Sequence, residues 1–338
     1  MVLSRYIRFR WQMLHAVLLV GICLFLSSCS EKKPKVYRVG ILCGLDYIAT
    51  IPDSFKSKMT ELGYIEGKNI IYDIQRTNFE PDREEQILKK FVKDKVDLIF
   101  TFPTEVSMAA KAAAQGTNIP VLFCFANIED TGLVQSVRQP SGNITGVRYP
   151  GPDLAIKRFE IMRELAPSAK RMWIPYQRGY PIVASQMEVL RPAAAAVGVT
   201  LEEAPADNAA ELQTILDARA KKSADIGMDA ILFLAEPLAV TSDAFAVMGK
   251  FAAEHRLPIG GALMLVEGYG SVFGVNVDIV TTGKQAAVLA DKILRGTPAG
   301  TIPVVSAESF FEINYKASQE LGLSVSEGLL SRADKIVR

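Results

Sequence analysis

The sequence predicts an α/β protein built as two doubly wound parallel-sheet lobes joined by a multi-strand hinge. From residue 36 onward, short apolar runs rich in β-branched residues alternate with longer helical patterns, which is how a parallel sheet covered by helices reads. The alternation passes through the same programme twice. A final stretch, residues 281–294 and 302–321, is long enough to cross back and complete the first lobe. At 338 residues the chain exceeds one average domain and suits two lobes of ordinary size.

Residues 37–42 read as the first strand and 51–62 as a helix stopped by Gly63, a residue suited to the left-handed turn that ends helices. A second strand over 69–74 precedes a helix over 82–93. The third strand, 96–100, leads into a helix over 104–115, and 120–125 is the fourth strand. After residues 142–149 the cycle restarts: helix 154–165, strand 171–175, helix 182–196, strand 199–203, helix 209–222, strand 230–234, helix 239–254 and a short strand 257–260. The repeat is visible in the residues themselves. Asp97-Leu-Ile-Phe-Thr-Phe-Pro-Thr opens a helix that ends before Asn118-Ile-Pro-Val, and Asp229-Ala-Ile-Leu-Phe-Leu-Ala-Glu-Pro opens one that ends before Arg256-Leu-Pro-Ile. In open parallel sheets, ligands bind beyond the carboxyl ends of the strands, where loops meet helix N-termini. Two such lobes place those ends on either side of a cleft.

The first thirty residues have a different character. Arg5, Arg8 and Arg10 precede an apolar run over 13–26 that ends in Leu26-Ser27-Ser28-Cys29. A basic head, a short apolar segment and small residues before a cleavage point make a secretory signal. A membrane span needs about 20 apolar residues, and this run is shorter. The chain as a whole is nearly balanced in charge, +1 overall, with no basic field for nucleic acid. Beyond the signal, His255 is the only histidine, so a histidine triad or multi-histidine metal site lacks material. Cys43 and Cys124 are too far apart in sequence for a zinc spacing. No phosphate-binding or dinucleotide fingerprint is present: Gly67-Lys68-Asn69 lacks the rest of a phosphate loop, and the glycine-rich 268–274 fits neither pattern. No cofactor, metal or catalytic residue is expected.

Leu-Ser-Ser-Cys resembles the bacterial lipobox, in which Cys29 becomes the acylated first residue of the mature chain. Further along, Glu61-Leu-Gly-Tyr-Ile-Glu-Gly-Lys-Asn69, Val96-Asp-Leu-Ile, Asn118-Ile-Pro-Val, Gly132-Leu-Val, Pro140-Ser-Gly-Asn-Ile-Thr-Gly146, Ala299-Gly-Thr-Ile-Pro-Val304 and Ile313-Asn314 occur in order over nearly the whole chain. Together they resemble the ABC-transporter substrate-binding lipoproteins of the tryptophan/tyrosine-binding, TrpX-like type, with the type I periplasmic-binding fold. The resemblance implies residues 1–28 as signal peptide, 29–35 as a lipid-anchored linker, 36–148 with 279–338 as the first lobe, and 149–278 as the second. It also implies an exported, periplasmic monomer held to the membrane only by its lipid, a small and aromatic or amino-acid-like ligand, and ABC permease and ATPase subunits as partners. A ligand-sensing subunit for a membrane receptor, or a two-lobed enzyme such as a racemase, are the alternatives. The racemase pattern needs one cysteine from each half, whereas Cys43 and Cys124 both fall in the first. In the usual 2-1-3-4-5 strand order these two cysteines sit about two strand spacings, ~10 Å, apart. That exceeds the ~7 Å limit for a disulfide, so both are expected to be thiols.

The strand ends supply the candidate ligand residues. Tyr47, Phe102, Phe125, Tyr176 and Tyr180 would flank a flat ligand, with core packing the alternative for each, and Asp46 would orient Tyr47 or contact the ligand. Thr104 and Glu105 open a helix whose N–H groups suit a carboxylate, although Thr104 also suits a plain N-cap. The family's usual Thr-Asp-Pro is Ala126-Asn127-Ile128 here, an acid-to-amide change; its Tyr-Asn-Pro-Gly is Tyr176-Gln177-Arg178-Gly179, and its Thr-Asp-Asn is Ala235-Glu236-Pro237. Arg178 would hold a ligand anion or lie solvated. Glu236 would pair with a ligand ammonium, compensating for the acid missing at Asn127, or cap the helix after Pro237.

Overall fold

In the computed structural model, residues 35–44, 50–78, 80–222 and 225–338 are described. Asp46, Tyr47 and Cys29 lie outside them. Among the described residues no helix is long and apolar enough to cross a membrane.

The first half runs β1 (Tyr37–Cys43), α1 (Ile51–Glu61), β2 (Ile70–Arg76), α2 (Pro81–Lys93), β3 (Leu98–Phe102), α3 (Thr104–Ala113), β4 (Val121–Ala126) and β5 (Ile144–Arg148). The second runs α4 (Gly151–Leu165), β6 (Arg171–Gln177), α5 (Val183–Ala196), β7 (Thr200–Ala206), α6 (Ala209–Lys222), β8 (Ala230–Leu232), α7 (Ser242–His255), β9 (Ile259–Gly261), a hairpin of β10 (Leu265–Val266) and β11 (Tyr269–Gly270), and β12 (Phe273–Val277). The chain then continues through α8 (Ile279–Leu294), β13 (Val305–Ser306), β14 (Ser309–Asn314), α9 (Tyr315–Glu320), α10 (Glu327–Arg332) and β15 (Lys335–Val337).

The first sheet has six strands in the order β13-β5-β4-β3-β1-β2, and the second seven in the order β15-β14-β12-β9-β8-β6-β7. Every described pair within them is parallel except β12 with β14. Strands buried on both faces explain the continuous apolar runs: Leu98–Phe102 is buried at all five positions. β1 and β4 are separated by β3, and Cys43 and Cys124 are not joined by a disulfide.

The C-terminal stretch departs from expectation. Helix α8 does return to the first sheet, packing along α1 so closely that a Cβ on Gly283 would lie 2.0 Å from Ser54 Oγ. After β13, however, the chain crosses a third time. Strand β14 pairs antiparallel with β12, setting Phe273 opposite Ile313 and Val275 opposite Phe311, all buried, and β15 extends that edge. Residues 309–337 therefore belong to the second sheet, because the apolar face of β14 is buried there. The strand β12 itself went unread, hidden behind the glycines of 268–274; Gly274 is needed because a Cβ would stand 2.2 Å from Leu263 N.

The three crossings run side by side. Ala307 N donates to Arg148 O at 2.9 Å and Asp278 N to Glu308 O at 3.0 Å, joining the segments after β5, β13 and β12. The Arg148 guanidinium adds bonds to Ser306 Oγ (2.8 Å), Glu129 (2.5 Å) and Asp153 (2.6 Å).

Candidate binding cleft

Each crossing out of a parallel strand leaves from its carboxyl end: β5 feeds the N-terminus of α4, and β12 feeds that of α8. Both sheets thus turn their carboxyl ends to one seam, where ligands of such folds bind.

On the first-sheet side, β4 pairs out of step with β5 between Cys124 and Ala126, and Phe125 is left-handed at φ 52°. That twist turns the half-buried Phe125 ring edge-on to Tyr149, with centroids 4.8 Å apart. Ala126 is buried and its carbonyl accepts from Tyr149 N at 2.8 Å. Thr104 is the first helical residue rather than the cap, a place taken by Pro103; its Oγ1 accepts from Asn127 N at 3.0 Å. The two loops of this lobe are thereby fixed to one another. Asn127 is only 3% exposed, and its Oδ1 is buried without a hydrogen-bond partner. Glu105 Oε2 is likewise buried and unpaired, and burial, with a smaller push from Glu84, raises its carboxyl above the ordinary range.

The second side is organised by an arginine. Arg158 is buried on α4 and donates Nε and Nη2 to Val275 O (3.0 and 2.7 Å), Nη1 to Phe233 O (3.2 Å) and Nη2 to Asn276 Oδ1 (3.1 Å). Burial lowers its pKa, opposed by Tyr149 and Glu236 nearby. Burial also raises the Tyr149 hydroxyl, against the pull of Arg158. Gln186 is locked in place, donating to Ala235 O (2.9 Å) and Ile182 O (3.0 Å) and accepting from Ala235 N (2.8 Å).

Glu236 is held as a cap. Its Oε2 accepts from Gln177 N (2.9 Å) and Leu238 N (3.0 Å), and its Oε1 from Ala239 N (2.7 Å). Burial raises its pKa while these N–H groups oppose the rise. Both oxygens accept from backbone N–H groups, which is the capping role. Phe102 also differs from expectation: it is fully buried 5.2 Å from Phe100, which stacks on Phe55 at 4.5 Å, so it belongs to the first lobe's core. Arg178 is exposed and engaged by Asp207 (3.0 Å), Pro205 O (3.1 Å) and Glu211 rather than held toward the seam. Tyr176 donates its hydroxyl to Glu203 at 3.0 Å, and half-buried Tyr180 packs against the apolar core.

The structure thus brings together Thr104, Phe125, Ala126 and Asn127 with three residues the strand-end rule passed over, Tyr149, Arg158 and Gln186. Arg158 left a trace in the sequence: it stands in the buried stripe of Leu154, Ala155, Phe159, Met162 and Leu165, where a charge demands an explanation. A surface depression of about 960 Å³ beside Lys111, Asn118 and Asn143 lies elsewhere, at the starts of β3 and β4. Among the described residues, no group of three or more His, Cys, Asp or Glu is placed to hold a metal.

Two lobes built on mainly parallel sheets, three crossings and a seam of strand ends define the type I periplasmic-binding fold. The chain belongs to the ABC transporter substrate binding protein family, whose model matches residues 41–337. It is 26% identical over 284 residues, 83% of this chain and 79% of the other, to a tyrosine-binding protein of Clostridioides difficile (strain R20291). A conserved domain protein from Vibrio cholerae O1 superimposes with a TM-score of 0.73 at 26% identity, covering 89% of this chain and 100% of that one. An ABC domain from Streptococcus pneumoniae in complex with L-Trp has the same fold, with a TM-score of 0.73 at 20% identity, 90% of this chain and 100% of that one. Family membership makes the protein the solute-capturing component that works with ABC permease and ATPase subunits, outside the cytoplasm.

Proposed function

We propose that the protein captures an aromatic amino acid in the cleft between its lobes and delivers it to its permease as an exported monomer, anchored by a lipid on Cys29. Residues 36–148 with 279–306 form one lobe, and 149–278 with 309–338 the other. The observation that carries the reading is the Asn127 carboxamide, buried with an unsatisfied oxygen beside the Phe125–Tyr149 aromatic pair. A buried acceptor left unpaired costs about 1–3 kcal/mol, which a bound ligand recovers, and aromatic walls with few polar anchors suit a flat amphipathic solute. The relationship to the tyrosine-binding protein supports the same class of ligand. Isothermal titration with L-tyrosine, L-tryptophan, L-leucine and D-ribose tests it: saturable binding of an aromatic amino acid is expected, and binding of none of the aromatics overturns it. For the anchor, Cys29→Ser should release the protein from the membrane fraction; unchanged partitioning refutes the lipid.

A further inference from the structure

Asn127 and Gly151 meet across the seam. A Cβ built on Gly151 would lie 2.7 Å from Asn127 Oδ1, closer than real Cβ contacts come, and 3.5 Å from Gln186 Cγ. Nothing in the backbone demands glycine here, because Gly151 does not have the positive φ that L residues avoid. It begins α4, where alanine would be the better helix former. What glycine supplies is space.

The two walls of that space differ in rigidity. Gln186 is fixed by bonds to Ala235 and Ile182 and cannot swing aside without breaking them. No hydrogen bond holds Asn127 Oδ1. A methyl group at 151 would therefore turn the Asn127 carboxamide and leave the rest of the seam in place.

We infer that Gly151 is a positioning residue for ligand recognition: its missing side chain keeps the Asn127 carboxamide in the orientation in which Oδ1 accepts from the ligand's ammonium. This rests on the cleft binding an aromatic amino acid and names the group that reads its amino end. The ammonium is the group in need of such an acceptor. Both oxygens of Glu236 already accept from backbone N–H groups, whereas Asn127 Oδ1 is an unsatisfied neutral acceptor beside the aromatic pair.

The test compares the parent, Gly151→Ala, Asn127→Ala and the double variant. Each is titrated with L-tryptophan or L-tyrosine, whichever the parent binds, and with the matching acid lacking the amino group, 3-indolepropionate or 3-(4-hydroxyphenyl)propionate. Gly151→Ala should weaken the amino acid by about ten-fold or more, the scale of one hydrogen bond to a charged group. It should leave the desamino acid close to its parental affinity and the thermal midpoint nearly unmoved. Adding Gly151→Ala to Asn127→Ala should cost nothing further, because the two changes remove one contact. Unchanged amino-acid affinity in Gly151→Ala, an equal loss for both ligands, or additive losses in the double variant overturns the inference while leaving the ligand class intact. A parent that binds neither aromatic amino acid overturns the functional reading and this inference with it.

Discussion

Asp97 and Asp229 make the same closed pair of bonds in the two lobes. Asp97 N donates to Arg38 O at 2.8 Å while its Oδ2 accepts from Arg38 N at 2.8 Å; Asp229 N donates to Arg171 O at 2.8 Å while its Oδ2 accepts from Arg171 N at 2.9 Å. Each acid thus pins the start of its own strand to the start of the neighbouring one. The recurrence of an acid ahead of each Pro-containing unit in the sequence marks this equivalent job.

Asp229 should make stability acid-sensitive. Burial works to raise its carboxyl, but the Arg171 guanidinium and the N–H groups of Lys170 and Arg171 outweigh it and hold the pKa below the ordinary value. A carboxyl lowered on folding contributes stability that is fully present above its unfolded pKa, about 3.9. That stability is lost as pH falls through the lower folded value. Urea unfolding of Asp229→Asn should show a smaller drop between neutral pH and pH 3 than the parent, and identical pH profiles would exclude the role.

Arg158 should be a keystone of the second lobe. Arg158→Met removes the donors to Val275 O and Phe233 O and leaves those carbonyls unsatisfied. The expected loss is about 3 kcal/mol or more in urea unfolding. A loss below about 1 kcal/mol would mean that water replaces the guanidinium.

Glu236 should matter to folding more than to affinity. Glu236→Gln replaces one acceptor oxygen with an amide that faces backbone N–H groups, with an expected cost of about 1–3 kcal/mol. Affinity for an aromatic amino acid should stay near the parent's. Parental stability combined with weakened binding would restore the carboxylate as the ligand's counter-charge.

Cys43 and Cys124 should both titrate as thiols. In a chain starting at Ser30, two equivalents should react after denaturation without reductant. In the native protein Cys124 should resist, since burial raises its thiol pKa and β4 encloses it. Zero reactive equivalents in the unfolded chain would indicate a bridge.

Much of this architecture could be read from the residues. Alternating apolar runs located β1 to β4 and β6 to β9, leaving β5 unread within the turn over 142–149, and the Asp97 and Asp229 units announced the duplication. The readable parts are those where one periodicity dominates. Strand β12 escaped because glycines that admit close backbone contacts also erase the apolar pattern, as Gly274 does beside Leu263. The destination of β14 escaped because the sequence does not say which sheet has an open edge. Of the residues the strand-end rule gathered, Phe125 and Asn127 lie at the seam, whereas Phe102, Arg178 and Tyr176 have partners set by packing and by neighbouring acids. Arg158 lay outside the rule because it reaches the seam from the middle of a helix.

The three adjoining crossings limit how the halves can move. A single connecting strand would let one half twist and slide against the other, but segments tied at Ala307–Arg148 and Asp278–Glu308 must flex as one ribbon. Such a ribbon bends readily in only one direction. The lobes are left with something close to a single degree of freedom, like a book on its spine. If loading closes the lobes, a permease touching the outer margins of both covers would meet two shapes that differ mainly in one angle.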